Sequence, residues 1–360
     1  MPSLETILTE TTSTEATSEA TLQPVTPLNF PRAESDLYFG NFVNAKESAF
    51  GKFQHNREVT PIDPDPSVKQ DVVRMNRDTL YSNAVFDLQS GPIMITLPEP
   101  DVTNGNSRFL SMQIVDEDQY TPTVIYGKGT VTLIKGKGNK VDKPNEEDTV
   151  VEIGTRYVAV FVRIFVDPNE DLAKVHDLQQ KIKVYPENQG TFEPQTWDTK
   201  SQDTIREALS TLGTFMPNYD KAFGTKEEVD PVAYLIGAAT GWGGNPVKDA
   251  KYDPLVIPNN DGDHAYTLTV KDVPVDGFWS VSVYDAEGYF VYNDYRAYSI
   301  NNVTGKKDAD GSITIQFGGK REKIPNYIPI PEQWNATIRL YRPRPEILSG
   351  DWTFPELERL

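Results

Sequence analysis

Residues 157–166 read Tyr157-Val158-Ala159-Val160-Phe161-Val162-Arg163-Ile164-Phe165-Val166. A strand with one wet face alternates apolar and polar residues, whereas this run is apolar on both alternating faces. It therefore predicts a central strand covered on both sides. It is about half a membrane span long and carries a charge, so it does not predict a transmembrane helix. The charge is the anomaly. A buried guanidinium costs several kcal/mol unless it is paired and hydrogen-bonded, so a carboxylate or a pocket is expected to face Arg163. Arg339, in Ala336-Thr337-Ile338-Arg339-Leu340-Tyr341, repeats the situation near the end of the chain. Each reads either as half of a structural ion pair or as an anchor for an anionic ligand.

Shorter strand-like runs bounded by turn residues lie on both sides of this segment. They are residues 72–75, 84–88, 93–97, 109–115, 123–126 and 130–134 before it, and 266–270, 278–284, 289–292, 313–317 and 336–341 after it. Helical spacing appears in few places. Tyr38, Phe42, Ala45, Ala49 and Phe53 predict one amphipathic helix over residues 34–54, weakened by Gly40 and Gly51. Asp167-Pro168-Asn169-Glu170 reads as N-cap, N1 proline and N3 acid, opening a helix with Leu172, Val175, Leu178 and Ile182 on one face. Ile205, Ala208, Leu209, Leu212 and Phe215 give a second stripe, and an apolar segment at 232–239 leads into Gly241-Trp242-Gly243-Gly244. The fold class expected is mainly β with a few helices, a β-rich α+β chain in two antiparallel sandwich or jelly-roll-like domains. The division expected is a polar tail over 1–29, a β domain over 30–190, a helical connection over 191–250 and a second sandwich over 251–360.

One internal similarity points to related sheets. Phe109-Leu110-Ser111-Met112-Gln113-Ile114-Val115-Asp116 lies over Phe278-Trp279-Ser280-Val281-Ser282-Val283-Tyr284-Asp285, and Tyr120 over Tyr289, with the apolar phases in step. This is a hint of duplication, since any two strand-turn-strand units share alternation and a polar turn.

Composition excludes several classes. Of 360 residues, 35 are Lys or Arg and 53 are Asp or Glu, giving a net charge of −18. Phosphate neutralisation needs a basic face, so a nucleic-acid partner is not expected, nor is an anionic membrane surface. With no cysteine there is no disulfide, thiolate metal site or thiol nucleophile. The first basic residue is Arg32, and the Thr/Ser/Glu tract before it lacks the basic start and apolar stretch of a secretory signal. A cytoplasmic location is the default expectation.

No Gly-x-Ser-x-Gly elbow, phosphate loop or His-Glu-x-x-His helix occurs. Gly127-Lys128-Gly129 and Gly136-Lys137-Gly138 read as hairpin turns. The three histidines, His55, His176 and His264, show no ligand spacing, and the latter two are expected at the surface. Acidic stretches around Asp116, Asp261 and Asp308 read as tight turns rather than calcium loops. No cofactor and no metal is expected. The densest polar cluster is Val72-Val73-Arg74-Met75-Asn76-Arg77-Asp78-Thr79-Leu80-Tyr81-Ser82-Asn83, and Phe53-Gln54-His55-Asn56-Arg57 lies upstream. A His55–Asp78 pair would suit general acid–base work, because a carboxylate orients and tunes imidazole. The alternative is that Asp78 caps a turn and Arg77 answers an acid. Trp242 either wedges a junction or lines a cleft.

Phe53 to Arg57, Asn76 to Ser82 and the helix from Leu172 resemble the domain-of-unknown-function family 1254. Gly241-Trp242-Gly243-Gly244-Asn245-Pro246 looks like its usual junction. Residues 278–285, Tyr298-Ser299-Ile300-Asn301-Asn302, 310–315, Arg339-Leu340-Tyr341 and 348–355 resemble its C-terminal partner, family 1214. The resemblance implies two β-rich domains and supplies no mechanism. Met75 departs from it where a proline is common, and the family is often exported. Asn302-Val303-Thr304 and Asn335-Ala336-Thr337 fit the glycosylation pattern.

Two functions are weighed. The first is a binding or assembling protein, expected as a homo-oligomer, holding a small molecule or glycan on concavities lined by Arg57, Asn76, Arg77, Tyr81, Arg163 and Trp242. The alternative is a cofactor-independent hydrolase, lyase or isomerase using His55 and Asp78, with an arginine or Tyr81 on a developing anion.

Overall fold

The computed structural model describes residues 22–59, 61–65, 67–68, 70, 72–136, 148–169, 171–185, 190–321 and 325–360. Most of the polar tail, Glu170 of the expected helix start, and Lys137-Gly138 lie outside the described residues. In chain order the elements begin with α1 (Phe30–Val43), β1 (Gln54–His55), β2 (Thr79–Asp87), β3 (Ile93–Leu97), β4 (Val102–Thr103), β5 (Asn106–Ser107) and β6 (Leu110–Asp116). They continue with β7 (Val124–Tyr126), β8 (Gly129–Lys135), β9 (Thr149–Ile153), β10 (Tyr157–Phe165), α2 (Leu172–Gln180) and β11 (Lys183–Tyr185). Then come α3 (Thr199–Gly213), α4 (Pro231–Gly241), β12 (Ala250–Pro254), β13 (Tyr266–Val270), β14 (Trp279–Tyr284) and β15 (Ser299–Asn301). The chain closes with β16 (Ile313–Phe317), β17 (Asn326–Ile328), β18 (Asn335–Tyr341), α5 (Pro345–Ser349) and β19 (Glu358–Arg359). The chain is mainly β, with largely antiparallel sheets.

The strand orders are β1-β2-β10-β6-β7 facing β11-β3-β8-β9, and β12-β18-β14-β15 facing β17-β16-β13-β19. In the first pair, Phe86, Ile114, Val160 and Ile164 meet Ile95, Leu133 and Val151. In the second, Val281, Ile338 and Leu340 meet Leu268, Ile315 and Phe317 around the fully buried Trp334. These faces carry the bulk of the apolar burial, at about 25 cal/mol per Å2 removed from water.

The two pairs repeat one another. Without β1 and the small β4–β5 hairpin, β2-β10-β6-β7 matches β12-β18-β14-β15, and β11-β3-β8-β9 matches β19-β13-β16-β17. Each second sheet has one parallel pairing, β8 with β9 and β16 with β17. A short helix, α2 or α5, precedes the last strand in both. The repeat extends to single residues. Arg163 lies opposite Tyr81 and Ser111, and Arg339 lies opposite Tyr252 and Ser280. The loops after β6 and β14 close alike. Asp116 Oδ1 accepts from the amides of Asp118 and Tyr120, and Asp285 Oδ1 from those of Glu287 and Tyr289. Both turns need a positive φ, supplied by Gln119 at 65° and Gly288 at 91°.

Between the repeats, four rings meet. Phe109 stands 5.3 Å from Phe278, Phe109 lies 5.3 Å from Tyr341, and the equivalent pair Phe165–Phe278 lies at 5.0 Å. Each such aromatic pair adds about 0.5–1.5 kcal/mol beyond its area.

β10 is buried at every position, as its sequence requires. Its even-numbered residues fill the sandwich, while the odd-numbered face has two covers. Tyr157, Ala159 and Phe161 pack with Phe39 and Phe42 of α1, and Phe165 packs on the second repeat. Arg163 falls in the gap between those covers.

Four expectations are corrected. The first helix ends at Val43, because the chain turns and Phe50 bridges to Val85 of β2. Residues 72–75 are not a strand. Val72 and Val73 are exposed, Arg74 has φ 52°, and the segment crosses to the second repeat, where its Arg74 amide donates to Gly288 O at 2.8 Å. Nor do residues 289–292 form a strand. The Phe290 amide bonds the Gln70 side chain instead. The cap of α2 also moves, from Asp167 to Asp171. Asp171 is fixed there by the fully buried side chain of Arg108 at 2.8 Å.

Candidate functional site

A cavity of about 550 Å3 opens where the two covers of β10 part. Both repeats and the intervening helices line it. β2 supplies Tyr81, β10 supplies Phe161 and Arg163, and β12 and β18 supply Tyr252, Arg339 and Tyr341. Tyr38 and Phe42 of α1, with Trp242 at the end of α4, form an aromatic wall, and Asn76 comes from the crossing segment. Tyr38 stacks on Trp242 at 4.5 Å, and Phe161 meets Trp242 edge-on at 6.1 Å. The indole Nε1 donates to Ser35 Oγ at 3.0 Å, which fixes the ring against α1.

The two equivalent arginines are used differently. Arg339 is saturated by partners. Its Nη1 donates to Ser282 Oγ at 3.0 Å, and its Nη2 to Tyr284 Oη and to the carbonyl of Arg74, both at 2.7 Å. It thus clamps the crossing segment onto β18. Arg163 has neither hydroxyl, because Gln113 and Val115 stand where Ser282 and Tyr284 stand in the second repeat. Gln113 Nε2 is turned away to the carbonyls of Gly243 and Gly244, at 3.2 and 2.9 Å. Arg163 is buried, lies 5.1 Å from the Tyr81 ring centre, and its Nη1 has no hydrogen-bond partner. Among the described residues it has no carboxylate partner within 4.0 Å.

The hydroxyls around it are arranged as donors. Asn76 Nδ2 donates to Tyr341 Oη at 2.9 Å, and Asn245 Nδ2 donates to Tyr252 Oη at 2.9 Å. A phenol that accepts from an amide keeps its own proton to give. Burial drives the Tyr341 phenol well above its usual range, with further elevation from Tyr252 and Tyr81. Burial would raise Tyr81 too, but the charge of Arg163, together with hydrogen bonds from Arg163, Asn76 and Thr79, outweighs it and leaves that phenol lowered.

Of the residues singled out from sequence, Asn76, Tyr81, Arg163 and Trp242 come together in this cavity. Arg77 and Asp78 do not. They face a second cleft of about 790 Å3, where the Arg77 guanidinium lies over Tyr298 at 5.2 Å. Asp78 Oδ1 accepts from Asn301 Nδ2 at 3.1 Å and Ser299 Oγ at 3.3 Å, both on β15. His55 is not brought to Asp78. It pairs with Ser82 on β2, four residues and therefore about 13 Å along the strand from Asp78. Its Nδ1 is 2.8 Å from Ser82 Oγ, and burial with the nearby Arg57 charge lowers its pKa to about 4. Arg57 bonds Gln179 Oε1 at 3.3 Å, tying the strand end to α2. Tyr252 and Tyr341 were missed from sequence. Carrying the register of residues 109–116 over 278–285 along the chain would not have found Tyr252, because loops of unequal length take Tyr81 to Ala250 and Arg163 to Glu332.

The glycosylation motifs are engaged within the fold. Asn302 Oδ1 accepts from the Trp279 amide at 2.8 Å, and the Asn335 side chain bonds Arg74 and the Asp285 carbonyl. Among the described residues no three His, Asp or Glu side chains stand together as metal ligands, and no helix is long and apolar enough to cross a membrane.

Residues 50–186 match the family model described as protein of unknown function DUF1254, and residues 257–345 match that of DUF1214. The chain joins a DUF1254 domain to a DUF1214 domain. A crystal structure of the VPA0106 protein from Vibrio parahaemolyticus is similar, with TM-score 0.70 and 19% identity over 93% of this chain and 97% of that one. A putative uncharacterized protein from Burkholderia cenocepacia gives TM-score 0.50 and 14% identity over 92% and 87%. At these identities the likeness is one of fold alone. No curated protein matches the sequence. In this DUF1254–DUF1214 chain, Tyr38, Phe42, Trp242 and Tyr252 of the cavity wall lie outside both matched segments.

Proposed function

We propose that this DUF1254–DUF1214 protein binds a small organic anion, a carboxylate with an apolar body, in the cavity between its two repeats. The observation that carries this reading is the buried, unpartnered Nη1 of Arg163. An unsatisfied charged donor costs more than about 1–3 kcal/mol, and a carboxylate offers it the bidentate acceptor that the protein does not. The equivalent Arg339 serves as an internal control, since it is fully engaged by the chain itself. The spare protons of Tyr252 and Tyr341 add donors, and Phe161, Trp242 and Tyr38 provide the apolar wall. A neutral sugar, with as many donors as acceptors, suits this donor-rich lining less well.

The test is thermal shift and calorimetry with benzoate, phenylacetate and phenylpyruvate, against glucose as a neutral sugar. Saturable binding of at least one acid, weakened tenfold or more in Arg163→Met, is expected. Binding of the sugar alone, or acid binding that Arg163→Met leaves unchanged, overturns the reading.

A further inference from the structure

We infer that the cavity also carries out proton transfer. Tyr81 takes a proton from the carbon adjacent to the carbonyl or carboxylate that Arg163 holds, and Tyr341 donates to the oxygen on which the negative charge collects. This rests on the anion-binding reading above and names the reaction class for the same site.

Tyr81 and Tyr252 occupy one register position, each beside a buried arginine. Their surroundings differ. The arginine beside Tyr252 is already engaged by Ser282, Tyr284 and the Arg74 carbonyl. Tyr81 faces the guanidinium that nothing else neutralises, so its phenolate form is favoured there. Beside this geometry the Arg163 charge favours the Tyr81 phenolate, while the Tyr341 hydroxyl, which accepts from Asn76 Nδ2 at 2.9 Å, has a proton to donate. The charged and titratable groups around Tyr81 are Arg163 on β10, Arg339 and Tyr341 on β18, Tyr252 on β12, Arg74 of the crossing segment and Glu58 before it. The charge that lowers Tyr81 is that of Arg163.

The step is balanced within the substrate and the protein. The C–H bond breaks and its proton passes to Tyr81 Oη. The electron pair forms a C=C bond, and the carbonyl π pair moves to oxygen, where Tyr341 Oη–H and Arg163 Nη1 stabilise it. The proton returns to the same carbon, giving exchange, or to another atom, giving a tautomer or isomer. Nothing is oxidised or reduced. A phenolate matches only activated C–H bonds, so the substrate class is the enolisable carboxylic acid, of which a 2-oxo acid is the simplest.

Two measurements decide it. Ultraviolet titration near 295 nm follows tyrosinate formation without any ligand. One of the seventeen tyrosines should ionise ahead of the others in wild type and be missing from Tyr81→Phe. Superimposable titrations overturn the inference. Proton NMR in D2O then follows loss of the C3 protons of phenylpyruvate. Exchange well above the protein-free rate, falling about 100-fold in Tyr81→Phe while calorimetric binding persists, is the expected result. Retained binding with equal exchange in wild type and Tyr81→Phe overturns proton transfer and leaves anion binding standing. Absence of phenylpyruvate binding in wild type, with exchange no faster than in protein-free solution, also overturns it. Unfolding curves establish that Tyr81→Phe is folded.

Discussion

Asp78 and Asp249 occupy equivalent places in the two repeats, and each reaches into the edge strand of the other. The Asp78 carbonyl accepts from the Val166 amide, and the Asp249 carbonyl from the Arg342 amide. Asp78 Oδ1 is bonded by Ser299 and Asn301 of β15, and Asp249 Oδ1 by Tyr126 of β7 at 2.9 Å. In both residues the second oxygen, Oδ2, is buried without a hydrogen-bond partner. The repeats are thus pinned by an exchange of carboxylates. Asp78→Ala and Asp249→Ala are each expected to lower stability by about 1–3 kcal/mol, because buried donors lose their acceptor. Urea unfolding checks this, with one cooperative transition expected in both variants.

Arg163 and Arg339 make opposite predictions although both are buried. Arg339→Met leaves the Arg74 carbonyl, the Tyr284 hydroxyl and Ser282 without their partner, and should cost about 2–4 kcal/mol. Arg163→Met removes a buried charge that is not paired, and should leave stability unchanged or raise it by about 1–2 kcal/mol. Comparison of their urea midpoints distinguishes the two. Equal destabilisation would show that Arg163 is part of the scaffold.

Asp36 gives a pH dependence. It is buried under Trp197, whose Nε1 donates to Oδ2 at 2.7 Å, while Oδ1 has no partner. Burial, reinforced by the charge of Glu117 against the Trp197 hydrogen bond, raises its pKa to about 7. The folded chain therefore keeps a proton that the unfolded chain sheds from about pH 4, and stability is lost as pH rises between those values. Asp36→Asn cannot titrate. It should match wild type at pH 4 and exceed it by more than about 1 kcal/mol at pH 8, since a tenfold change in proton affinity is worth about 1.4 kcal/mol. Paired urea curves at the two pH values measure the difference.

Phe278 sits in the middle of the four-ring contact, stacked on Tyr341 at 4.3 Å and close to both Phe109 and Phe165. Truncation to alanine opens a hole that rings from two separate sheets cannot fill together. Phe278→Ala should cost about 3–5 kcal/mol and loosen the cavity above it. Thermal unfolding is expected to shift well below wild type without a second transition.

The parts of this architecture that depend on periodicity were legible in the chain. The run from Tyr157 announced a strand buried on both faces, and the guanidinium within it marked the place where a pocket would open. Residues 72–75 misled because a β-branched pair looks like a strand whether it joins a sheet or lies across one. What kept them out was distant. The Arg339 side chain, 265 positions beyond Arg74, captures the Arg74 carbonyl, and no local rule reports that. The His55–Asp78 pairing failed for a related reason. Nearness in sequence suggested a cluster, but the antiparallel register of β1 on β2 carries His55 to Ser82. Tyr252 lay beyond the internal similarity, because loops of unequal length between the strands break that register before it reaches Tyr81.

The four rings have one further implication. Phe109 and Phe165 present to the second repeat nearly what Phe278 and Tyr341 present to the first, so a chain half as long, met by its own copy, would bury the same surface around a dyad. Such an ancestor would have held two identical arginines. Joining such copies into one polypeptide would free each to diverge, and here Arg339 is engaged by the chain itself while Arg163 keeps an Nη1 without a hydrogen-bond partner.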